Sequence, residues 1–144
     1  MGTRGIICIK YRSKYYKMYN HYDSYGSELG LKIMEEINTA IEDGSYDSWK
    51  ELIERCKIVY ESNITESQSI VLENCKSSII KPLNAKLICL FDQNISTPPK
   101  LCIMIQYVYI LDLDNNTFFA FSNDESIECK ISKLTLLRDF MTKF

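Results

Sequence analysis

The chain of 144 residues is 46% hydrophobic and 25% charged, with a net charge of −2. That fits one globular domain, 1–144, and excludes a chain disordered throughout. The near-neutral balance argues against broad binding to nucleic acid or to a membrane surface. It hides an asymmetry, however: residues 1–22 hold five bases and no acid, whereas residues 23–66 hold eleven acids against four bases.

In chain order, Ile6 to Ile9 and Tyr15 to Tyr22 read as two strands around a polar Arg12-Ser13 turn, because β-branched and aromatic residues dominate both. A helix is expected from Ser27 to Glu42, with Ile33, Met34, Ile37 and Ile41 on its buried face and Gly44 as its stop. A second helix should start at Ser48 with Glu51 completing a capping box, and bury Trp49, Leu52, Ile53, Cys56 and Val59. Thr65 and Gln68 make the same pattern for a third helix to about Ile79, closed by Pro82. Ala85 to Phe91 reads as a strand. Leu101 to Leu113 reads as a long central strand, apolar on both faces at its start. Asp114-Asn115-Asn116 is a turn, Thr117 to Ser122 a hairpin partner, and Leu134, Leu137, Arg138 and Met141 mark a short last helix. The order predicts an α+β fold: an antiparallel sheet of the N-terminal hairpin plus the C-terminal strands, with about three helices packed on one face.

Six cysteines, Cys8, Cys56, Cys75, Cys89, Cys102 and Cys129, include no C-x-x-C pair, and His21 is the only histidine. No metal site is expected from that set. The thiols read as buried, reduced hydrophobes without disulfides, which suits a reducing compartment. No Walker loop, G-x-G-x-x-G or H-E-x-x-H motif occurs, so no cofactor is expected. The longest apolar run, Leu101 to Leu111, is broken by Gln106 and falls well short of the ~20 residues of a membrane helix. The opening residues do not make a secretory signal.

A two-residue turn at Arg12-Ser13 makes facing residues sum to 25. Arg4 then faces His21, Ile6 faces Tyr19, Cys8 faces Lys17 and Lys10 faces Tyr15, all on one side of the hairpin. Ile7, Ile9, Tyr16 and Met18 occupy the other side, the expected core face. The first set is then a basic, aromatic surface. In this register Asp23 lies near Gly2, and Arg4, Tyr19, His21, Asp23 and Tyr25 become the candidate ligand- or partner-binding residues. A structural reading competes: Asp23 accepts turn amides or pairs with Arg4, and His21 is a surface imidazole. Catalysis reads poorly, because His21 and Asp23, two apart on a strand, point to opposite faces, and removal of Met1 would expose Gly2, not Thr3. No catalytic residue is assigned. Lys10, Arg12, Lys14, Tyr15 and Lys17 interleave bases with rings, which supports single-stranded nucleic-acid binding as a further alternative, although nucleic acid is the less expected partner.

The opening Met1-Gly2-Thr3-Arg4-Gly5, with Tyr19-Asn20-His21-Tyr22-Asp23-Ser24-Tyr25 and the later Tyr107 to Asp114 segment, resembles small uncharacterised proteins of large DNA viruses, phages and fungi. These carry an N-terminal Thr-Arg strand and a Tyr-x-His-x-Asp-x-Tyr motif. The resemblance covers about a quarter of the chain. The sequence departs from the group at Ser24, where Gly is common, and at Gly26, where Pro is common. The resemblance implies a shared small fold and a viral origin, with no activity attached. A composition rich in Lys, Ile, Asn and Tyr suits an AT-rich genome of the same kind. The expectation is a virus-encoded, non-enzymatic protein acting through protein contacts, host or viral, in the cytoplasm of the infected cell or packaged in the virion. The alternatives are a small-ligand binder or hydrolase using Arg4, His21, Asp23 and Tyr25, and the nucleic-acid binder. Oligomeric state is not legible in the sequence.

Overall fold

The computed structural model describes residues 3–144. β1 (Gly5–Tyr11) and β2 (Lys14–Asn20) form the expected hairpin, with Ile6 opposite Tyr19 and Cys8 opposite Lys17. Arg12 and Ser13 both adopt positive φ, 51° and 63°. That is the turn hand that matches strand twist. Neither residue favours it, and the Asp114 carboxylate holds it by accepting Arg12 N–H at 2.7 Å and Ser13 N–H at 3.0 Å.

A wide turn (Gly26–Gly30) leads into α1 (Leu31–Asp43). Ile33, Met34, Ile37 and Ala40 are buried, whereas Ile41, expected on the same face, is 41% exposed. Gly44, at φ 82°, ends α1 in the left-handed conformation that glycine adopts without strain. α2 (Trp49–Arg55) buries Trp49 and Ile53. Its predicted capping box is absent: Ser48 is helical and its hydroxyl donates back to Ser45 O. Cys56 ends α2 in extended backbone, and Val59 belongs not to the helix but to β3 (Lys57–Tyr60). α3 (Glu66–Glu73) carries the Thr65–Gln68 capping box in full. It stops six residues before the expected end. Pro82 does not close it but sits in the first turn of α4 (Ile80–Ala85), where its missing N–H has no intrahelical partner to lose.

β4 (Leu87–Leu90) pairs in parallel with β3 as a separate two-stranded sheet. β5 (Tyr107–Asp112) is central, between β1 and β6 (Thr117–Ser122), and β7 (Ser126–Lys130) adds an edge that the sequence did not announce. The main sheet runs β2-β1-β5-β6-β7 and is antiparallel at every pair except β1–β5. The chain closes with a 3₁₀ turn (Ile131–Leu137) and α5 (Arg138–Lys143).

One face of the sheet, with Ile7, Ile9, Tyr109, Leu111, Phe118 and Ala120, packs on the helices through Leu29, Ile33, Ile37, Trp49, Leu83 and Met141. The fold is thus α+β with helices on one face. The opposite face is not the open surface expected from the hairpin pattern. Residues 91–106 fold across it, and Ile105 joins Ile6, Cys8, Val108 and Ile110 in a second core. The predicted strand at Leu101 to Leu113 therefore begins only at Tyr107. Cys102 and Ile105 exchange backbone hydrogen bonds that turn the chain, leaving Ile103 94% exposed at the tip. No helix among the described residues is long and apolar enough to cross a membrane.

Candidate functional site

The second core decides the fate of the basic hairpin residues. Lys17 is 2% exposed. Its ammonium donates to Asp92 Oδ2 at 3.1 Å, Asn94 O at 2.8 Å and Thr97 Oγ1 at 3.3 Å, pinning the covering loop to the sheet. Lys10 lies 3.7 Å from Asp112 and 5.4 Å from the centre of the Tyr15 ring. Arg12 pairs with Glu54 at 2.8 Å. The Tyr15 backbone N–H is taken by Ile95 O. Of the hairpin bases, Lys10, Arg12, Lys14 and Lys17, only Lys14 stands exposed with no ion pair to another described residue. The hairpin does not present the open basic stripe that its sequence suggested.

The five recognition candidates separate. β1–β2 pairing ends at Gly5–Asn20, so Arg4 and His21 lie beyond the ladder. Arg4 turns to the Tyr107 side: its N–H donates to Gln106 Oε1 at 3.1 Å and its guanidinium to Met104 Sδ at 3.5 Å. Tyr25 sits edge-on to Tyr107, 5.8 Å between ring centres. Asp23 is exposed with φ 52°, and its carboxylate accepts no hydrogen bond from the described residues. Its expected neighbour Gly2 lies outside the described residues. Tyr19 and His21 do come together: the phenol and the imidazole Nδ1 share a hydrogen bond of 2.8 Å.

The structural node of this corner is instead Asn20 and Ser24, both buried. Asn20 Nδ2 donates to Tyr22 O at 2.7 Å and Ser24 Oγ at 2.8 Å. Ser24 N–H reaches Thr3 Oγ1 at 2.8 Å, and Ser24 O accepts the Tyr109 hydroxyl at 2.6 Å. Burial pushes the Tyr109 phenol well above its ordinary pKa, so the hydroxyl stays a donor. Gly5 is required here: a Cβ would lie 2.8 Å from Ser24 Cβ.

Asn20 also faces a cleft of about 380 Å³ at the outer edge of β2. Ile7 and Met18 contribute apolar floor, Leu72 and Pro82 come from the helical side, and Tyr19, His21 and Tyr22 stand along β2 and its exit. Opposite them are Glu61, Glu73 and Lys76, with Ser77 between. Glu73 and Lys76 pair with each other at 2.9 Å. Ser77, at φ 55°, donates its hydroxyl to Asn20 Oδ1 at 3.1 Å. Ser78 and the Ile79 N–H both donate to Glu36, at 2.5 and 2.8 Å, which ties the Ser77 loop to α1.

An aromatic run borders the cleft. Tyr19 stacks on Phe91 at 5.4 Å between ring centres, tilts against His21 at 5.7 Å, and His21 meets Tyr22 edge-on at 4.4 Å. Tyr22 is 58% and Phe91 45% exposed. The sequence pointed to Tyr19 and His21 but missed the opposite wall. The capping box at Thr65 located α3, yet nothing in it said that α3 would face the edge of β2.

Two thiols, Cys75 and Cys89, line the cleft, and burial pushes both up. Such thiols are weak nucleophiles. All six cysteines are free, and Cys102, expected buried, is exposed at the apolar tip. No cluster of three or more metal-ligating side chains occurs among the described residues. No family model matches this chain, and no curated protein or solved structure matches it.

Proposed function

We propose that this chain is a virus-encoded, non-enzymatic protein that acts through contact with another protein, host or viral, in the cytoplasm of the infected cell. The partner docks at the cleft on the edge of β2. The observation that carries this reading is the aromatic run Phe91–Tyr19–His21–Tyr22, exposed at Phe91, His21 and Tyr22, beside a cleft with an apolar floor. Aromatic side chains supply large contact area at low entropic cost and dominate binding hot spots. A concave site with a few convergent polar groups is where recognition concentrates. The non-enzymatic part is supported by the state of His21. Its Nδ1 is engaged by Tyr19, and no carboxylate among the described residues orients the ring. The viral part is supported by the resemblance of the Tyr-x-His-x-Asp-x-Tyr segment and by the Lys-, Ile-, Asn- and Tyr-rich composition.

The test is affinity capture from infected-cell lysate with tagged wild type, Tyr22→Ala and His21→Ala. The expected result is one protein retained by wild type and reduced about tenfold or more by Tyr22→Ala, a loss of about 1.4 kcal/mol. Equal retention by all three, or recovery of nucleic acid alone, would remove the reading.

A further inference from the structure

We infer that the cleft receives a basic side chain, lysine or arginine, from an extended segment of the partner, an inference that rests on the docking reading above. Both N–H groups of the Asn20 amide are engaged, by Tyr22 O and Ser24 Oγ. The Ser77 hydroxyl donates its only hydrogen to Asn20 Oδ1. What these two side chains still offer an incoming group is lone pairs, not hydrogens. A ligand that donates several hydrogen bonds is matched to them, and one that only accepts is not.

Charge points the same way. Of the ionised side chains along the cleft, Glu73 and Lys76 neutralise each other at 2.9 Å, which leaves the Glu61 carboxylate without an ion pair among the described residues. Its field reaches inward, where it adds to burial in raising the Cys89 thiol. An anion entering the cleft would meet this carboxylate and no free lysine or arginine. A wholly apolar group would cover the floor yet strip water from Glu61 without replacing it. A cation satisfies the carboxylate and lies beside the exposed Tyr22 ring at the cleft. The aliphatic stem of lysine or arginine suits Ile7, Met18 and Leu72. A volume of about 380 Å³ lies within the roughly 300–1,000 Å³ of small-ligand sites, room for one long side chain and its flanking peptide units.

The experiment is titration of the labelled wild-type chain, followed by NMR, with blocked pentapeptides Ac-Ala-Ala-X-Ala-Ala-NH₂. X is lysine, arginine, norleucine or glutamate, and methylammonium serves as the free cation. The lysine or arginine peptide should bind at the resonances of residues 18–22 and 75–78 about tenfold more tightly than the norleucine peptide. Glu61→Gln should erase that preference, and Lys14→Gln should leave it intact. Glu61 is exposed, so its replacement spares the fold. Norleucine binding as well as lysine, a preference that survives Glu61→Gln, or no shift of the cleft with any peptide would overturn the inference. So would methylammonium binding as tightly as the lysine peptide, which would assign the cleft to a free amine. None of these results bears on the docking reading itself, which stands or falls on the Tyr22→Ala capture.

Discussion

Asn20 and Ser24 hold together three chain segments that the sequence shows only as polar residues beside a conspicuous His and Asp. Ser24 lies between Thr3 and Tyr109, and Asn20 between Tyr22 and Ser77. Ser24 makes its Thr3 and Tyr109 bonds through the backbone, whereas its hydroxyl accepts Asn20 Nδ2 at 2.8 Å. Losing that hydroxyl or the Asn20 amide leaves buried polar groups unmet, so Ser24→Ala and Asn20→Ala should each cost about 1–3 kcal/mol in denaturant unfolding. Asp23→Gly should change stability by less than about 1 kcal/mol, because its side chain accepts no bond from the described residues and its φ of 52° is one that glycine accepts. A larger loss at Asp23 than at Ser24 would mean that this corner is built differently. Asp23 was the more visible residue in the sequence because it is charged. The residue that matters was hidden because a buried serine reveals itself only through its partners.

Lys17 and Asp92 allow a sharper residue-scale test. The lysine is buried, whereas the Asp92 side chain is 47% exposed. Asp92→Ala should therefore destabilise more than Lys17→Met, since it strands a buried ammonium while the reverse change lets the carboxylate return to water. The Asp92 carboxyl is held below its ordinary pKa, first by the Asn94 N–H and also by the Lys17 ammonium. With a depressed folded-state pKa, its contribution is present above the unfolded value of about 3.9 and is lost as pH falls through the folded value. Melts of wild type should lose stability below about pH 4, and Asp92→Asn should flatten that acid limb. An identical acid limb in the variant would contradict the assignment.

Among the elements, local signals were legible where local physics was sufficient. The Thr65–Gln68 capping box forms as its spacing requires, and Gly44 ends α1. Thr65→Ala should cost about 1 kcal/mol. The hairpin register followed from a two-residue turn at Arg12-Ser13, even though that is a poor turn dipeptide. The distant Asp114 carboxylate compensates by accepting both turn amides. Replacing the dipeptide by Asn-Gly should raise stability by about 0.5–1 kcal/mol in the same unfolding assay. A loss would show that Arg12, through Glu54, matters more than backbone strain. The false capping box at Ser48 shows the limit of spacing: the same letters fail when the preceding turn already has helical backbone. β7 was missed because it is short and exposed on alternate residues, so no apolar run marks it. β3 was missed because Cys56 and Val59 also fit the buried stripe of the preceding helix.

At the scale of the whole molecule, the α+β class and the helix-covered face were legible, and the covering of the opposite face was not. Lys17 read as a surface residue because nothing local says that residues 91–106 will lie over it; the long-range packing of Ile105 on Ile6 and Val108 and the Lys17 bonds to Asp92, Asn94 and Thr97 place that loop. The same packing sorts the thiols. Burial pushes up Cys8, Cys56, Cys75, Cys89 and Cys129, while Cys102 stands exposed. A thiol reagent at neutral pH should therefore modify one cysteine of the folded chain rapidly, Cys102, and all six only in denaturant. The cleft, too, is a property of the whole chain, since β2, the Glu61 turn, α3 and the Ser77 loop each supply one wall. The most direct test of its role is hydrogen exchange on the chain alone and with the protein it captures from infected cells. Docking at the cleft predicts slowed exchange at residues 18–22, 61–64 and 75–78, lost in Tyr22→Ala. Slowing confined to the β7 edge or the Ile103 tip, or no slowing at all, would contradict it.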